Sequence, residues 1–81
     1  MRVRVLAFAQ LRELFGFGER SLDCAAGTTL EELWTQLASG VAEAHALRAS
    51  TRFARNGAIA LPGVALHDGD EVALLPPVGG G

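Results

Sequence analysis

The clearest helix in this chain is short and central, and the remaining apolar segments must be organised around it. Leu30, Leu33, Trp34 and Leu37 stand at i, i+3, i+4 and i+7, which makes one apolar stripe on one helix face. Thr28-Thr29-Leu30-Glu31 fits a capping box in which Thr28 accepts from the Glu31 amide and Glu31 reaches back to Thr28. Glu31 and Glu32 in the first turn suit the positive end of the helix dipole, and Ser39-Gly40 supplies the stop. A single stripe needs an apolar surface to pack on, and the flanking segments supply one with a different period.

Arg2-Val3-Arg4-Val5 alternates with period two and reads as a strand with one buried face. The alternation fails at Leu6-Ala7-Phe8-Ala9, where both faces become apolar, and Gln10 to Phe15 reads as a short helical turn ended by Gly16-Phe17-Gly18. Glu19 to Cys24 reads as a second strand of an N-terminal hairpin. After the main helix, Val41 to Ala49 is expected to form a second short helix. Arg52 to Arg55 and Ala58 to Leu61 are strands joined by the hairpin signal Asn56-Gly57. His67-Asp68-Gly69-Asp70 is a turn, and Glu71 to Leu75 is apolar enough to be a central strand, stopped by Pro76-Pro77. This order describes a sheet of about five strands wrapped around one main helix.

Composition narrows the function. With 81 residues the chain is one domain, too small for a large internal active-site cavity. Its 49% apolar content excludes disorder as the main state. The longest stretch free of Asp, Glu, Lys and Arg, Asn56 to His67, is too short to span a membrane, and no basic n-region precedes an apolar run. The expectation is a cytoplasmic protein. A net charge of −2 argues against nucleic acid. One cysteine, Cys24, excludes an internal disulfide and a cysteine zinc cage, and His45 and His67 give a metal site little to build on. Cys24 reads as a small buried strand residue, Trp34 as core, and Asp68, Asp70 and Glu71 as solvated turn acids. All seven basic residues are arginine.

The end of the chain carries the functional signal. From Val72 onward no side chain is charged. Pro76-Pro77 favours an extended, stiff exit from the domain, and Gly79-Gly80-Gly81 removes every side chain from the last three positions. Six extended residues span at most ~20 Å, enough to enter a neighbour's active site through a channel too narrow for a Cβ. A carboxylate at such a tip is a poor electrophile, so chemistry there requires prior activation. Phe8, Leu75 and Pro76 make a candidate apolar docking patch, with ordinary core packing the alternative for Phe8 and Leu75.

These segments resemble the sulfur-carrier small subunit of molybdopterin synthase, a ubiquitin-like β-grasp family. The resemblance lies in Val5-Leu6-Ala7-Phe8-Ala9-Gln10-Leu11-Arg12-Glu13-Leu14, in Asp68-Gly69-Asp70-Glu71-Val72-Ala73 and in Pro76-Pro77-Val78-Gly79-Gly80-Gly81. Gly79 departs from the serine or threonine typical of the family. The resemblance implies an α+β domain over residues 1–75 and a C-terminal arm over 76–81. It implies that an ATP-dependent adenylating enzyme activates the carboxylate of Gly81, and that a sulfur donor such as a cysteine desulfurase or rhodanese-like protein converts it to a thiocarboxylate. The large synthase subunit would then supply the catalytic acids and bases, in a heterotetramer. Phe8, Leu75, Pro76, Pro77, Val78, Gly79 and Gly80 would contact partners. No bound cofactor or metal is implied, ATP being used by the activating enzyme. Alternatives are a related carrier for thiamin or tRNA thiolation, and a ubiquitin-like modifier of target lysines.

Overall fold

The computed structural model describes residues 1–77. Nine short elements follow in the order β1 (Arg2–Ala7), α1 (Ala9–Phe15), β2 (Glu19–Asp23), α2 (Leu30–Ala38), α3 (Ala42–Leu47), a 3-10 turn (Arg48–Ser50), β3 (Arg52–Arg55), β4 (Ala58–Ala60) and β5 (Glu71–Leu75). The strands form one mixed sheet in the order β2-β1-β5-β3-β4, with β1 and β5 parallel and every other pair antiparallel. This is the α+β, β-grasp arrangement expected, with β5 in the central position its apolar run required.

The core forms where the helical stripe meets the inward residues of the sheet. Val3, Val5 and Ala7 of β1, Val72 and Leu74 of β5 and Phe53 of β3 pack in one cluster with Leu30, Leu33, Trp34 and Ala38 of α2, Leu11 of α1 and Ala44 of α3. Leu37 is only partly buried at its edge. Trp34 meets the Phe15 ring edge-on at 5.5 Å between centroids and the Phe53 ring at 6.3 Å, so three aromatics from different elements lock together. Cys24 is buried immediately after β2, where its amide donates to Met1 O and its carbonyl accepts from the Met1 amine at 2.8 Å.

The capping box is displaced by one residue from the sequence expectation. Thr29, not Thr28, is the cap: its hydroxyl accepts from Glu32 N at 3.1 Å, and Glu32 Oε1 accepts from Thr29 N at 2.9 Å. Tertiary structure decides between the two threonines. Thr28 is held in the preceding turn, where its hydroxyl donates to the Ala25 carbonyl and its own carbonyl accepts from Leu66 N. The amides of Leu30 and Glu31 donate to the carbonyls of Val64 and Pro62, so the connection before β5 satisfies the other free donors of the first turn. Glu31 is thereby released from capping. It receives Arg48 Nε at 2.8 and 3.0 Å, and the same guanidinium stacks on Phe53 at 4.7 Å. The Arg48 bond holds the Glu31 carboxyl below its ordinary range.

The acidic turn also differs from expectation. Asp70 is buried rather than solvated, and it accepts from His67 N at 2.8 Å and from Asn56 Nδ2 at 2.9 Å. Burial pushes its carboxyl up, but these two bonds, with Arg55 and His67 nearby, outweigh burial and hold it below the usual range. Asn56 adopts φ 50° and Gly57 φ 86°, the pair of positive angles that a two-residue hairpin turn requires. The Asn56 carbonyl oxygen also accepts from Glu71 N at 2.9 Å, so one side chain turns the β3–β4 hairpin and ties it to the start of β5.

Candidate functional site

The helices cover one face of the sheet, and the other face has no element packed on it among the described residues. Cross-strand register defines what this open face presents. Leu6 pairs with Ala73, Ala73 with Ala54, and Ala54 with Ile59, so one apolar row crosses β1, β5, β3 and β4. A second row lies towards the end at which β5 leaves the sheet. Leu75 pairs with Arg52, and Phe8 is level with Leu75, one residue beyond the Ala7–Leu74 pair. Leu61 follows Ile59 by two residues, so strand alternation gives it the same face. Among the described residues the exposed large apolar side chains are Phe8 at 45%, Ile59 at 62% and Leu61 at 75%, and all three belong to these rows. Leu6, Ala73 and Leu75 are half-buried between them.

The conformation after β1 keeps Phe8 in place. Phe8 is still extended, with φ −122° and ψ 153°, and its carbonyl accepts from the amides of Leu11 and Arg12 at the start of α1. Ala9 turns the chain at φ 48°, a left-handed conformation that costs a non-glycine residue about 1 kcal/mol. The helix therefore departs at once and leaves the Phe8 ring on the open face.

Charge borders the apolar rows at the opposite end of the same face. Arg4 bonds Glu71 across β1 and β5 and lies 3.8 Å from Glu19 on β2. The Glu71 bond, with the charges of Glu71 and Glu19, raises the Arg4 guanidinium above its ordinary value. A shallow groove of about 180 Å³, lined by Thr51, Arg52, Phe53, Ile59, Ala60, Leu61 and Pro62, continues the apolar surface around the β4 edge. A wider depression of about 620 Å³ beside α1 offers only one ionisable pair, Arg12 and Glu13, both exposed. Among the described residues no group of three or more His, Cys, Asp and Glu side chains could hold a metal ion. Burial raises the Cys24 thiol, opposed by the nearby amino terminus, so this cysteine is a poor nucleophile.

The structure thus brings Phe8, Leu75 and Pro76 together at one end of the sheet, with Pro77 exposed beyond them. Val78, Gly79, Gly80 and Gly81 lie outside the described residues. Ile59, Leu61, Leu6, Ala73 and Arg52 complete the face and were not singled out from the sequence. A signal for three of them was present: Leu6 falls where the β1 alternation fails, and Ile59 and Leu61 are large apolar residues in the short segment expected to be a hairpin strand.

An open apolar face next to the exit of the last strand can dock a partner and aim the terminal residues at it. The sequence profile of the ThiS family matches residues 5–81. The chain belongs to the ThiS family. Two relatives of this ThiS-family chain are molybdopterin synthase sulfur carrier subunits. The protein from Chlamydomonas reinhardtii is 35% identical, with all of both chains covered. The protein from Arabidopsis thaliana is 27% identical, covering all of this chain and 84% of the relative. Among solved structures, small archaeal modifier protein 1 of Haloferax volcanii superposes with a TM-score of 0.80 at 28% identity, covering 95% of this chain and 98% of that one. The likeness to the molybdopterin synthase carriers therefore spans the whole sequence. No helix among the described residues is long and apolar enough to cross a membrane.

Proposed function

We propose that this chain is the sulfur-carrier small subunit of a molybdopterin synthase, acting in the cytoplasm in molybdenum cofactor synthesis. The observation that carries the reading is the exit of the central strand β5 beside an uncovered apolar face, at one end of the sheet. The names of the two curated relatives supply the cargo.

In this reading an ATP-dependent activating enzyme adenylates the carboxylate of Gly81. The persulfide of a desulfurase or rhodanese-like donor attacks the acyl carbon and displaces AMP to form an acyl disulfide, and a second thiol then reduces that S–S bond, which releases the thiocarboxylate and leaves a disulfide on the donor. The open face, with Phe8, Ile59, Leu61 and Leu75, docks on the large subunit. Pro76 and Pro77 hold the exit extended, and Val78 enters the partner with Gly79 and Gly80, whose lack of side chains admits the reacting end. The large subunit supplies the proton-transfer groups. This chain needs no bound cofactor, and ATP is consumed by the activating enzyme. A heterotetramer with two copies of each subunit is the expected assembly.

The test is the intact mass of the chain after incubation with an adenylating enzyme, ATP and a sulfur donor. The expected result is a gain equal to the exchange of one oxygen for sulfur, mapped to Gly81. An unchanged mass, with an enzyme shown to be active on its own carrier, would contradict the reading.

A second reading, a protein modifier that forms isopeptide bonds with lysines of targets, is favoured by the likeness to the Haloferax modifier protein. Accumulation of lysine adducts in cells supports it, and a pool of free thiocarboxylate supports the carrier.

A further inference from the structure

The row of side chains nearest the exit of β5 consists of Phe8, Leu75, Arg52 and Leu61. Leu75 and Arg52 are paired, Phe8 lies one residue beyond the Ala7–Leu74 pair, and Leu61 lies one residue beyond the pair of Phe53 and Ala60. Cross-strand neighbours share a face, so a single cation stands between two leucines in an otherwise apolar row. We infer that Arg52 is a specificity-determining residue of this docking face: its guanidinium donates to a carboxylate of the large synthase subunit, beside an apolar side chain of that subunit seated in the groove along β4. The inference rests on the reading of the open face as the large-subunit dock and names the chemistry that the dock selects.

The chain itself offers Arg52 no counter-ion. Arg52 is exposed and makes no ion pair or side-chain hydrogen bond among the described residues. The other two arginines of this face are committed, Arg2 to Asp23 at 3.7 Å and Arg4 to Glu71 and Glu19. The nine acidic residues are all placed away from Arg52. Asp23, Glu71 and the turn acids Asp68 and Asp70 lie at the end of the sheet opposite the exit. Glu19 is on β2, three strands from β3, and reaches towards Arg4. The remaining four belong to α1, α2 and α3, which pack on the other face.

The physical chemistry of this cation sets what can cover it. A guanidinium stays charged at every accessible pH, is weakly hydrated for a cation and presents its donors in a planar fork that fits a carboxylate. Its methylene stem covers apolar neighbours while the head remains wet. A partner without an anion to offer would strand the charge in a dry contact, so Arg52 rejects the apolar and basic surfaces that the rest of the row would accept. The groove of about 180 Å³ opens next to it, with Arg52 its only charged lining residue and Phe53, Ile59, Leu61 and Pro62 among its walls. A cavity of about 150 Å³ in an apolar protein core holds a benzene molecule, so this groove admits one aromatic or branched side chain. Groove and guanidinium together select an apolar residue with an Asp or Glu close beside it.

The experiment measures binding of the full chain to the purified large subunit by calorimetry. Arg52→Met, Arg52→Glu and Arg2→Glu are compared with wild type, and thermal melts confirm that each is folded. Arg52 makes no side-chain bond within the fold, so its variants should melt with wild type. Arg52→Met keeps an unbranched apolar stem and drops the charge; it should bind about tenfold more weakly, and Arg52→Glu about 100-fold. Arg2→Glu makes the same change in net charge as Arg52→Glu, but about 20 Å away along the strand direction, well beyond a Debye length of roughly 8 Å, and should stay within about twofold of wild type. Arg52→Met binding as tightly as wild type would reduce Arg52 to apolar cover and overturn the inference. A loss from Arg2→Glu equal to that from Arg52→Glu would reduce it to net charge and do the same. A second measurement finds the partner group. Each Asp and Glu of the large subunit is changed to Arg in turn, and one change should restore binding to Arg52→Glu by about tenfold while weakening wild type. Restoration by none of them overturns the assignment of a carboxylate. Equal binding by all four chains overturns the inference and leaves the dock standing, whereas a wild type that does not bind the large subunit overturns the dock and the inference together.

Discussion

The two faces of the sheet are built from the same strands and do opposite work. On the covered face, Val3, Val5, Ala7, Val72, Leu74 and Phe53 meet the helices and are almost fully removed from water. On the open face, Leu6, Phe8, Ala73, Leu75 and Ile59 are equally apolar, yet Phe8 and Ile59 stay exposed and Leu6, Ala73 and Leu75 are only partly buried. A chain of this size has little apolar surface to spare for its own stability, so leaving one face uncovered is costly unless something else covers it. The difference teaches that hydrophobicity here has two recipients: the fold on one side and a partner on the other.

The largest effect should come from the covered face. Trp34→Ala is expected to cost about 3–5 kcal/mol, and Leu33→Ala about 2–5 kcal/mol, read by urea unfolding. Against a usual total of about 5–15 kcal/mol, the first leaves a barely folded chain. The open face should invert this pattern. Ile59→Asp and Phe8→Asp are expected to leave unfolding within about 0.5 kcal/mol of wild type and to weaken binding of the large synthase subunit by about 2 kcal/mol, roughly 30-fold, by calorimetry. Equal losses of stability on both faces would erase the distinction.

A smaller effect tests how the end of the sheet opposite the exit is fastened. Asp70→Ala should cost about 1–2 kcal/mol near neutral pH by stranding His67 N and Asn56 Nδ2. The folded state lowers the Asp70 carboxyl, so its contribution is complete above the unfolded value near 4 and disappears as pH falls through the lower folded value. The gap between wild type and Asp70→Ala should thus be constant above about pH 5 and close below about pH 4, in urea titrations at each pH. The smallest effect distinguishes the neighbouring threonines. Thr29→Ala should cost about 1 kcal/mol as a lost cap, with Thr28→Ala, which loses a turn bond, costing less in the same assay.

The covered face was legible in the sequence because helical and strand periods are local. The stripe from Leu30 to Leu37, the Asn56-Gly57 turn and the central character of Glu71–Leu75 each follow from spacing and residue type. What was not legible depended on contacts distant in sequence. The alternation fails at Leu6, where both faces become apolar, and only the pairing of Leu6 with Ala73 in a strand that runs to Ala7 assigns Leu6 to the open face. The choice of Thr29 over Thr28 follows from backbone bonds to Val64, Pro62 and Leu66, more than thirty residues away. Asp70 looked like any turn acid until Asn56 was brought against it. The open face joins four strands, so only register could assemble Leu6, Ala73, Ala54 and Ile59 into one row.

The central claim is that the folded body presents the terminal residues and those residues perform the transfer. A chain lacking Gly80 and Gly81, expressed in a host deleted for its own molybdopterin synthase carrier, tests it directly through molybdenum-dependent growth. The account predicts an unchanged melting temperature, retained binding to the large subunit and no growth; growth equal to that with the full chain would contradict it.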